Sequence, residues 1–314
     1  MNSDALVRDL KRMVDGPILR EESLASHTTF RVGGPAQIML RPRDGDEAER
    51  VMGWAAERDI RLLCLGKGSN LLVDDRGVRG LVLATSPALD EIRCDGEPGA
   101  TVSIRVGAGT PMAKLGGFCV REGLSGLEPL AGIPGSVGGA VAMNAGVNNY
   151  SVGNLVRSVR AFDPARRLTR EIAVKDCGFT YRRSIFLRAG GPFILSARME
   201  FGRGDRCKIS EAMRERLEYR RRRHPWRERS AGSIFRNPAG THAGKLIEAA
   251  GLKGRRIGGA MVSRVHANFI VNVGGATSSD IRRLIEEIRD AVLTRFGTEL
   301  ELELRIWSPE DEAG

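Results

Sequence analysis

Between Gly126 and Gly146 the chain places six glycines in twenty-one residues, with Gly132-Ile133-Pro134-Gly135-Ser136-Val137-Gly138-Gly139-Ala140 at the centre. Glycine at this density gives up side-chain packing for backbone freedom, so the run reads as a loop that brings backbone N–H groups close to something. A shorter loop of the same kind, Gly66-Lys67-Gly68-Ser69-Asn70-Leu71, follows the apolar run 61–65, which reads as a strand covered on both faces. Backbone dipoles in such turns can cradle phosphate oxygens. Neither loop is a P-loop, because no Gly-Lys-Ser/Thr triplet occurs. Neither is the Rossmann fingerprint, since the sixth position from Gly66 is Leu71 and the sixth from Gly107 is Met112. Taken singly, each loop is more readily a structural turn. Two of them in separate α/β blocks point to a diphosphate ligand shared between the blocks.

The pattern around the loops divides the chain in three. Residues 1–20 read as a helix with Leu6, Leu10 and Met13 on one face. Then come a short strand at 37–40, a helix at 44–58, the strand at 61–65 and a strand at 80–84. These make a first unit, 1–85. The second unit, 86–205, has strands at 101–106, 155–162 and 192–201, with a helix from Pro111 that Gly123 ends. The third unit, 206–314, opens with a helix at 208–219 that runs into Arg220-Arg221-Arg222-Arg223-His224-Pro225. Further on, Thr277-Ser278-Ser279-Asp280 resembles a capping box before a helix striped by Ile281, Leu284, Ile285, Ile288 and Val292, with Gly297 just past its end. A strand at 299–306 closes it, with Leu300, Leu302, Leu304 and Ile306 on one face and Glu299, Glu301, Glu303 and Arg305 on the other. At 314 residues, two or three domains are expected.

Other classes are disfavoured. No apolar run reaches the ~18 residues of a membrane helix, and the charged N-terminus is unlike a secretory signal. Cys64, Cys94, Cys119, Cys177 and Cys207 lie far apart, without a Cys-x-x-Cys pair, which suits a reducing cytoplasm. The net charge of +10 comes almost wholly from arginine. That bias suits anionic ligands, phosphate or carboxylate, as well as it suits nucleic acid. No RNA- or DNA-binding motif, zinc ligand set or aromatic platform supports the nucleic-acid reading, and no metal site is expected.

The two loops, the early Thr28-Thr29-Phe30-Arg31-Val32-Gly33-Gly34 and Asn144-Ala145-Gly146 together resemble the FAD-binding region of the UDP-N-acetylenolpyruvoylglucosamine reductase family. The likeness continues through Tyr181-Arg182, Gly232 to Pro238, Ala243 to Glu248, Arg256 to Ala260, His266 to Asn272 and Glu303 to Ile306, covering roughly 27–306. The resemblance implies an α/β (α+β) chain. Its two FAD-binding subdomains would be of the kind seen in flavoproteins resembling vanillyl-alcohol oxidase, followed by a C-terminal α/β substrate domain. About fifty residues separate Tyr181 from Ser233, which fits the shorter of the family's two architectures.

The resemblance also implies roles. Non-covalent FAD would be held by Arg31, by Gly66, Lys67, Gly68, Ser69, Asn70 and Leu71, by Gly132, Ile133, Gly135, Ser136, Gly138 and Gly139, and by Asn144 and Gly146. NADPH would be the co-substrate and UDP-N-acetylglucosamine enolpyruvate the substrate, met by Tyr181, Asn237, Lys245 and Lys253. Arg182 would support the substrate carboxylate. Ser233 would give the proton. Glu303 would be a neutral carboxyl hydrogen-bonding the developing enediolate, which requires a pKa raised by burial. Arg236 stands where the family more often has Lys. The protein would be a monomer or weak homo-oligomer. On local chemistry alone the residues favour plainer readings: Ser233 as a turn serine or cap, Arg182 as one surface arginine among many, Glu303 as part of a solvated strand face. Another FAD-dependent carbohydrate oxidoreductase is the alternative enzyme, and an anion or nucleic-acid binder acting through Arg220 to Arg223 is the alternative without chemistry.

Overall fold

The computed structural model describes residues 3–95 and 99–310. Its first region contains α1 (Ser3–Leu10), β1 (Ile18–Ser23), β2 (Pro35–Leu40), α2 (Gly45–Glu57), β3 (Leu62–Leu65), β4 (Leu71–Val73) and β5 (Val78–Ala84). The sheet order is β1-β2-β5-β3, with β2, β5 and β3 mutually parallel and β1 antiparallel to β2. Parallel strands next to one another require a crossover, and α2 supplies one between β2 and β3. Asp44 caps α2 by accepting from the Glu47 N–H.

The expected helix over 1–20 stops early. Residues 1–2 lie outside the described residues; the helix ends at Leu10, and residues 18–23 form β1 instead. Gly16-Pro17 is the reason. The Arg41 N–H donates to Pro17 O, and a Cβ at Gly16 would lie 2.1 Å from Arg41 O, so the backbone is pressed flat against the end of β2. Proline also cannot continue a helix interior.

The second region holds β6 (Ile92–Asp95), β7 (Thr101–Gly107), α3 (Met112–Glu122), β8 (Leu124–Ser125), α4 (Val137–Ala142), β9 (Gly146–Val147), β10 (Tyr150–Ser151), β11 (Val156–Asp163), β12 (Leu168–Ala173) and β13 (Phe193–Arg203). Its main sheet runs β12-β11-β13-β7-β6, antiparallel throughout, with β8 also on β13. Gly123 caps α3 in the left-handed conformation at φ 67°. One apolar cluster joins α2 and the inner face of the first sheet (Ile38, Leu40, Leu62, Leu83) to α3, α4 and β13. The opposite face of the first sheet (Met39, Leu65, Val82, Ala84) packs in a separate cluster with Leu24, Leu71 and Val73.

The third region comprises α5 (Arg206–Arg223), α6 (Ala243–Ala249), β14 (Arg256–Ile257), β15 (Ala260–Val262), β16 (Ile270–Asn272), α7 (Ser278–Phe296) and β17 (Arg305–Trp307). The expected helix at 208–219 extends through the whole arginine run. The expected capping box on α7 forms, with Thr277 and Asp280 bonding each other's backbone, and Gly297 ends the helix at φ 63°. Of the expected closing strand at 299–306 only 305–306 is paired, parallel to β4, and the pairing runs on to Trp307. Residues before Arg305 stay extended, tied by a single bridge between Phe235 and Leu302. The alternation survives, because an extended segment turns successive side chains to opposite sides with or without a sheet: Leu300 and Leu304 are buried while Glu299 and Glu301 are exposed.

The chain end thus returns to the first region, and Phe30, Val32 and Leu72 share a core with α6 and α7. Asp75 strengthens that return. Its carboxylate accepts from the N–H groups of Ser278 (2.8 Å) and Ser279 (3.1 Å), and its own N–H donates to Ser278 Oγ (3.0 Å). A carboxylate from a distant loop therefore sits on the N-terminus of α7, where the helix dipole favours it. No helix among the described residues is long and apolar enough to cross a membrane. Replacing Asp75 with Ala is expected to cost about 1–2 kcal/mol of stability, read as a lower denaturation midpoint in urea with an unchanged slope.

Candidate active site

The two glycine loops meet. A Cβ on Gly66 would lie 2.4 Å from Ser136 Oγ, and one on Gly135 (φ 113°) would lie 2.7 Å from Ser69 Oγ. Gly68 (φ 58°) is pressed against the backbone of His27 and Thr28, and its carbonyl accepts from the Thr29 N–H. Only glycine allows these approaches. The N–H groups of Lys67, Gly68, Ser69 and Asn70, in sequence, donate to no acceptor among the described residues, nor do those of Gly135 and Ser136. Free amides on two touching loops fit the diphosphate of a dinucleotide.

The other loop residues divide. Gly138 packs on Ala108, and the Gly139 N–H donates to Ser136 Oγ, which caps α4; Ile133 is half-buried. Leu71 is buried within β4. Arg31 (φ 57°) donates to Ser26 O at 2.8 Å. With Gly66 and Lys67 it lines a cavity of about 560 Å³ that also meets Met39, Leu65, Trp226 and Arg229. Met39 and Leu65 lie on the face of the first sheet that packs apart from the second region, and Lys67 is exposed.

From the seam, hydrogen bonds lead to the remaining residues. Asn70 Nδ2 donates to Glu303 O (3.0 Å), and the Glu303 N–H donates to Ile234 O (2.8 Å). A Cβ on Gly232 would come within 3.9 Å of Ser69 O. The Ser233 turn, the first glycine loop and Glu303 therefore form one knot. Asn268 fixes the turn by donating to Phe235 O and accepting the Phe235 N–H. Ser233 is half-buried, and its hydroxyl bonds nothing among the described residues.

Arg182 enters from the second region. Its Nε donates to Glu303 Oε1 at 2.9 Å and its Nη2 to Gly146 O at 2.8 Å. The backbone of Arg182 is left-handed, φ 55°, in a tight turn closed by paired bonds between Thr180 and Arg183. Asn144 steadies that turn through Nδ2 to Thr180 O (2.9 Å), so Asn144 and Gly146 here serve Arg182. Glu303 lies beside a guanidinium, yet its carboxyl is held above the usual carboxylate range. Burial outweighs the opposing pull of Arg182 and then Arg236.

The sequence offers Arg220 only as one of four arginines that follow the helix at 208–219. In the structure its side chain is half-buried and its pKa is lowered to about 10, by burial first and then by Arg216 and Arg182. No carboxylate pairs with it among the described residues. Gly132 (φ 79°) makes room for it, since a Cβ there would lie 2.9 Å from Arg220 Cδ. A half-buried cation with cationic neighbours favours an anion beside it, and its interaction with Arg182 places Arg220 near the site. The only sequence signal was Gly132 itself, whose partner no local pattern could name. Beyond Arg220, His224, His266 and Phe269 pack ring against ring, and burial lowers the pKa of His224 to about 4.

The expected substrate residues lie on the outer side. The Tyr181 hydroxyl accepts the Asn237 N–H (3.3 Å), and Asn237 Oδ1 accepts the Ala243 N–H (3.1 Å) at the start of α6. Lys253 is paired to Glu248 at 2.7 Å. Lys245 is exposed on α6.

Comparison with known proteins fits this layout. Residues 36–169 match the model of an FAD binding domain. Residues 224–307 match the C-terminal domain of UDP-N-acetylenolpyruvoylglucosamine reductase. Proteins of that name from Halalkalibacterium halodurans and Moorella thermoacetica are 39% and 41% identical to the chain, covering 96% and 98% of it and 98% and 99% of themselves. The chain belongs to the UDP-N-acetylenolpyruvoylglucosamine reductase family. The crystal structure of the Thermus caldophilus UDP-N-acetylenolpyruvylglucosamine reductase superposes with a TM-score of 0.75 at 33% identity, covering 93% of this chain and 98% of that one. With its FAD-binding domain, the chain is a flavoprotein oxidoreductase.

Two outcomes are expected. Gly66→Ala forces the seam apart at Ser136 and weakens FAD binding by roughly ten- to a hundredfold, read from the flavin absorbance retained after gel filtration. The raised carboxyl of Glu303 means that the folded state holds its proton more tightly than the unfolded chain. Its contribution to stability is therefore present below the ordinary carboxylate range and is lost as pH rises through the raised value. The stability of Glu303→Gln relative to the parent is expected to increase from pH 4.5 to pH 7.5, measured by urea unfolding.

Proposed function

We propose that this chain reduces UDP-N-acetylglucosamine enolpyruvate to UDP-N-acetylmuramate, a step of peptidoglycan precursor synthesis, with NADPH as the reductant. The observation that carries the reading is the meeting of Arg182, Glu303 and the Ser233 turn beside the two glycine loops. FAD, when bound, would supply hydride chemistry between NADPH and the terminal vinyl carbon. The touching loops, with their free amides, would hold its diphosphate.

Hydride arrival at the vinyl carbon pushes the double-bond electrons onto the neighbouring carbon and into the carboxylate. Arg182, whose Nε and Nη2 are engaged by protein, keeps Nη1 for that carboxylate, and Arg220 adds a second fixed charge nearby. Glu303, kept neutral more readily than a solvated acid, donates a hydrogen bond to the same enediolate. The Ser233 hydroxyl, free of protein partners, gives its proton to the adjacent carbon and is reprotonated from solvent. A serine is a weak acid, but the carbanion is a strong base, so placement matters more than acidity.

Tyr181, Asn237, Lys245 and Lys253 line the approach for the UDP-sugar; Lys253 would trade Glu248 for a phosphate. The five cysteines are all free thiols, which suits a reducing cytoplasm as the place of reaction, with the protein acting as a monomer or weak homo-oligomer. Rapid-mixing measurements separate the half-reactions. Ser233→Ala should still be bleached by NADPH, while reoxidation by the enolpyruvyl substrate falls by roughly 10²–10⁴-fold. Survival of both half-reactions would remove Ser233 from the mechanism.

A further inference from the structure

We infer that Arg236 is a positioning residue which holds the turn of Arg182 by its backbone carbonyl and stands as a second positive charge behind Glu303. The inference rests on the roles given above to Arg182 and Glu303 and extends them to a residue that needs no contact with the substrate.

Arg236 follows the Ser233 turn. Its Nη2 donates to Arg182 O (3.4 Å) and its Nη1 to Glu301 Oε2 (3.2 Å). Its own N–H donates to Glu301 O at 2.9 Å, so side chain and backbone grip the same neighbour. Glu301 also receives Arg183 Nη2 at 3.3 Å. The tight turn of Arg182 is thus held from outside through the carbonyl of Arg182 and through Arg183. That turn needs holding, because Arg182 sits in the left-handed region, which side-chain-bearing residues adopt only at a cost. Relaxation of the turn would carry the guanidinium away from Glu303.

Arg236 is held in place at some expense. Its side chain is 19% exposed, and its Nε is buried without a hydrogen-bond partner among the described residues. A shorter or neutral residue would avoid that orphan donor. What the guanidinium provides is a two-pronged grip and a positive charge behind the acid. Two cations act on Glu303, Arg182 from the 180–183 turn and Arg236 from the 232–237 loop, and both oppose burial. Arg220 stands beyond Arg182 on α5, while Glu301 and Arg305, on the same segment as Glu303, are exposed. Burial raises the proton affinity of Glu303, and Arg182 and then Arg236 oppose that rise.

The test is the pH dependence of flavin reoxidation by the enolpyruvyl substrate in the FAD-loaded enzyme. If the neutral acid is required, the rate falls at high pH as Glu303 ionises. Arg236→Gln removes a cation that favours the ionised form, so this alkaline limb moves to higher pH. The plateau rate falls roughly tenfold through loss of the grip on Arg182. Arg236→Met, which keeps the aliphatic length without a donor, produces the same displacement and covers the case in which glutamine does not fold. Arg236→Lys returns the limb to its original position, because the charge is back, without full recovery of the rate. A purely structural role would lower the rate and leave the limb in place. Glu303→Gln separates the two levels of the argument. If it keeps the parent limb, the role of Glu303 fails and the tuning fails with it. If it loses the limb while Arg236→Gln and Arg236→Met leave theirs unmoved, Glu303 stands and Arg236 alone is overturned.

Discussion

The contact between Arg182 and Glu303 joins residues 121 apart in the chain, with their side chains 18% and 16% exposed. A buried ion pair is a poor source of net stability, because desolvation offsets much of the attraction. Here that balance is the useful property. Burial pushes the Glu303 proton affinity up while Arg182 and Arg236 pull it down. Burial prevails, so the acid holds its proton more readily than a solvated one would. The tight turn at 180–183, the knot at Asn70 and Ile234, and the return of the C-terminal segment to β4 all serve to bring these two groups together and keep them partly dry.

The glycine seam imposes the complementary constraint. Side chains at Gly66 or Gly135 would run into the hydroxyls of Ser136 and Ser69 on the facing loop. The seam also explains why Arg220 can be half-buried. Gly132 leaves the space its stem fills, so the flexibility of the second loop makes room for charge at the centre as well as for close backbone approach. Arg182 and Arg220, from two regions, stand near one another with a single acid, Glu303, in contact with Arg182. That imbalance marks the site as built for an anion.

Much of the fold was legible in the chain because local signals agreed with one another. The helix at 45–57 has Asp44 as its cap, α7 has its capping box and Gly297, and the apolar run before Gly66 is a strand. The failures have physical causes. Apolar spacing carried the first helix past Gly16-Pro17, where backbone pairing with Arg41 wins. Alternation at 299–306 was read as a full strand, although an extended segment alternates without partners. At the site, Ser233 and Glu303 were singled out by family likeness, since their local chemistry favoured a turn serine and a solvated face. Arg220 was hidden among four consecutive arginines, and only packing distinguishes the one that points inward.

By itself, the sequence determined the helices at 45–57, 112–122 and 278–296 and the glycine turns, because capping, periodicity and glycine act over a few residues. It also supplied the reactive groups. The tertiary structure decided which of many arginines are half-buried, that Asn144 and Gly146 support Arg182, and that Glu303 alone of the acids at 299–303 faces the site. Those outcomes depend on desolvation and on contacts between residues more than a hundred positions apart, such as Asn70 with Glu303 and Arg182 with Glu303. No local pattern encodes the dielectric around a side chain; it exists only once the rest of the molecule has closed over it.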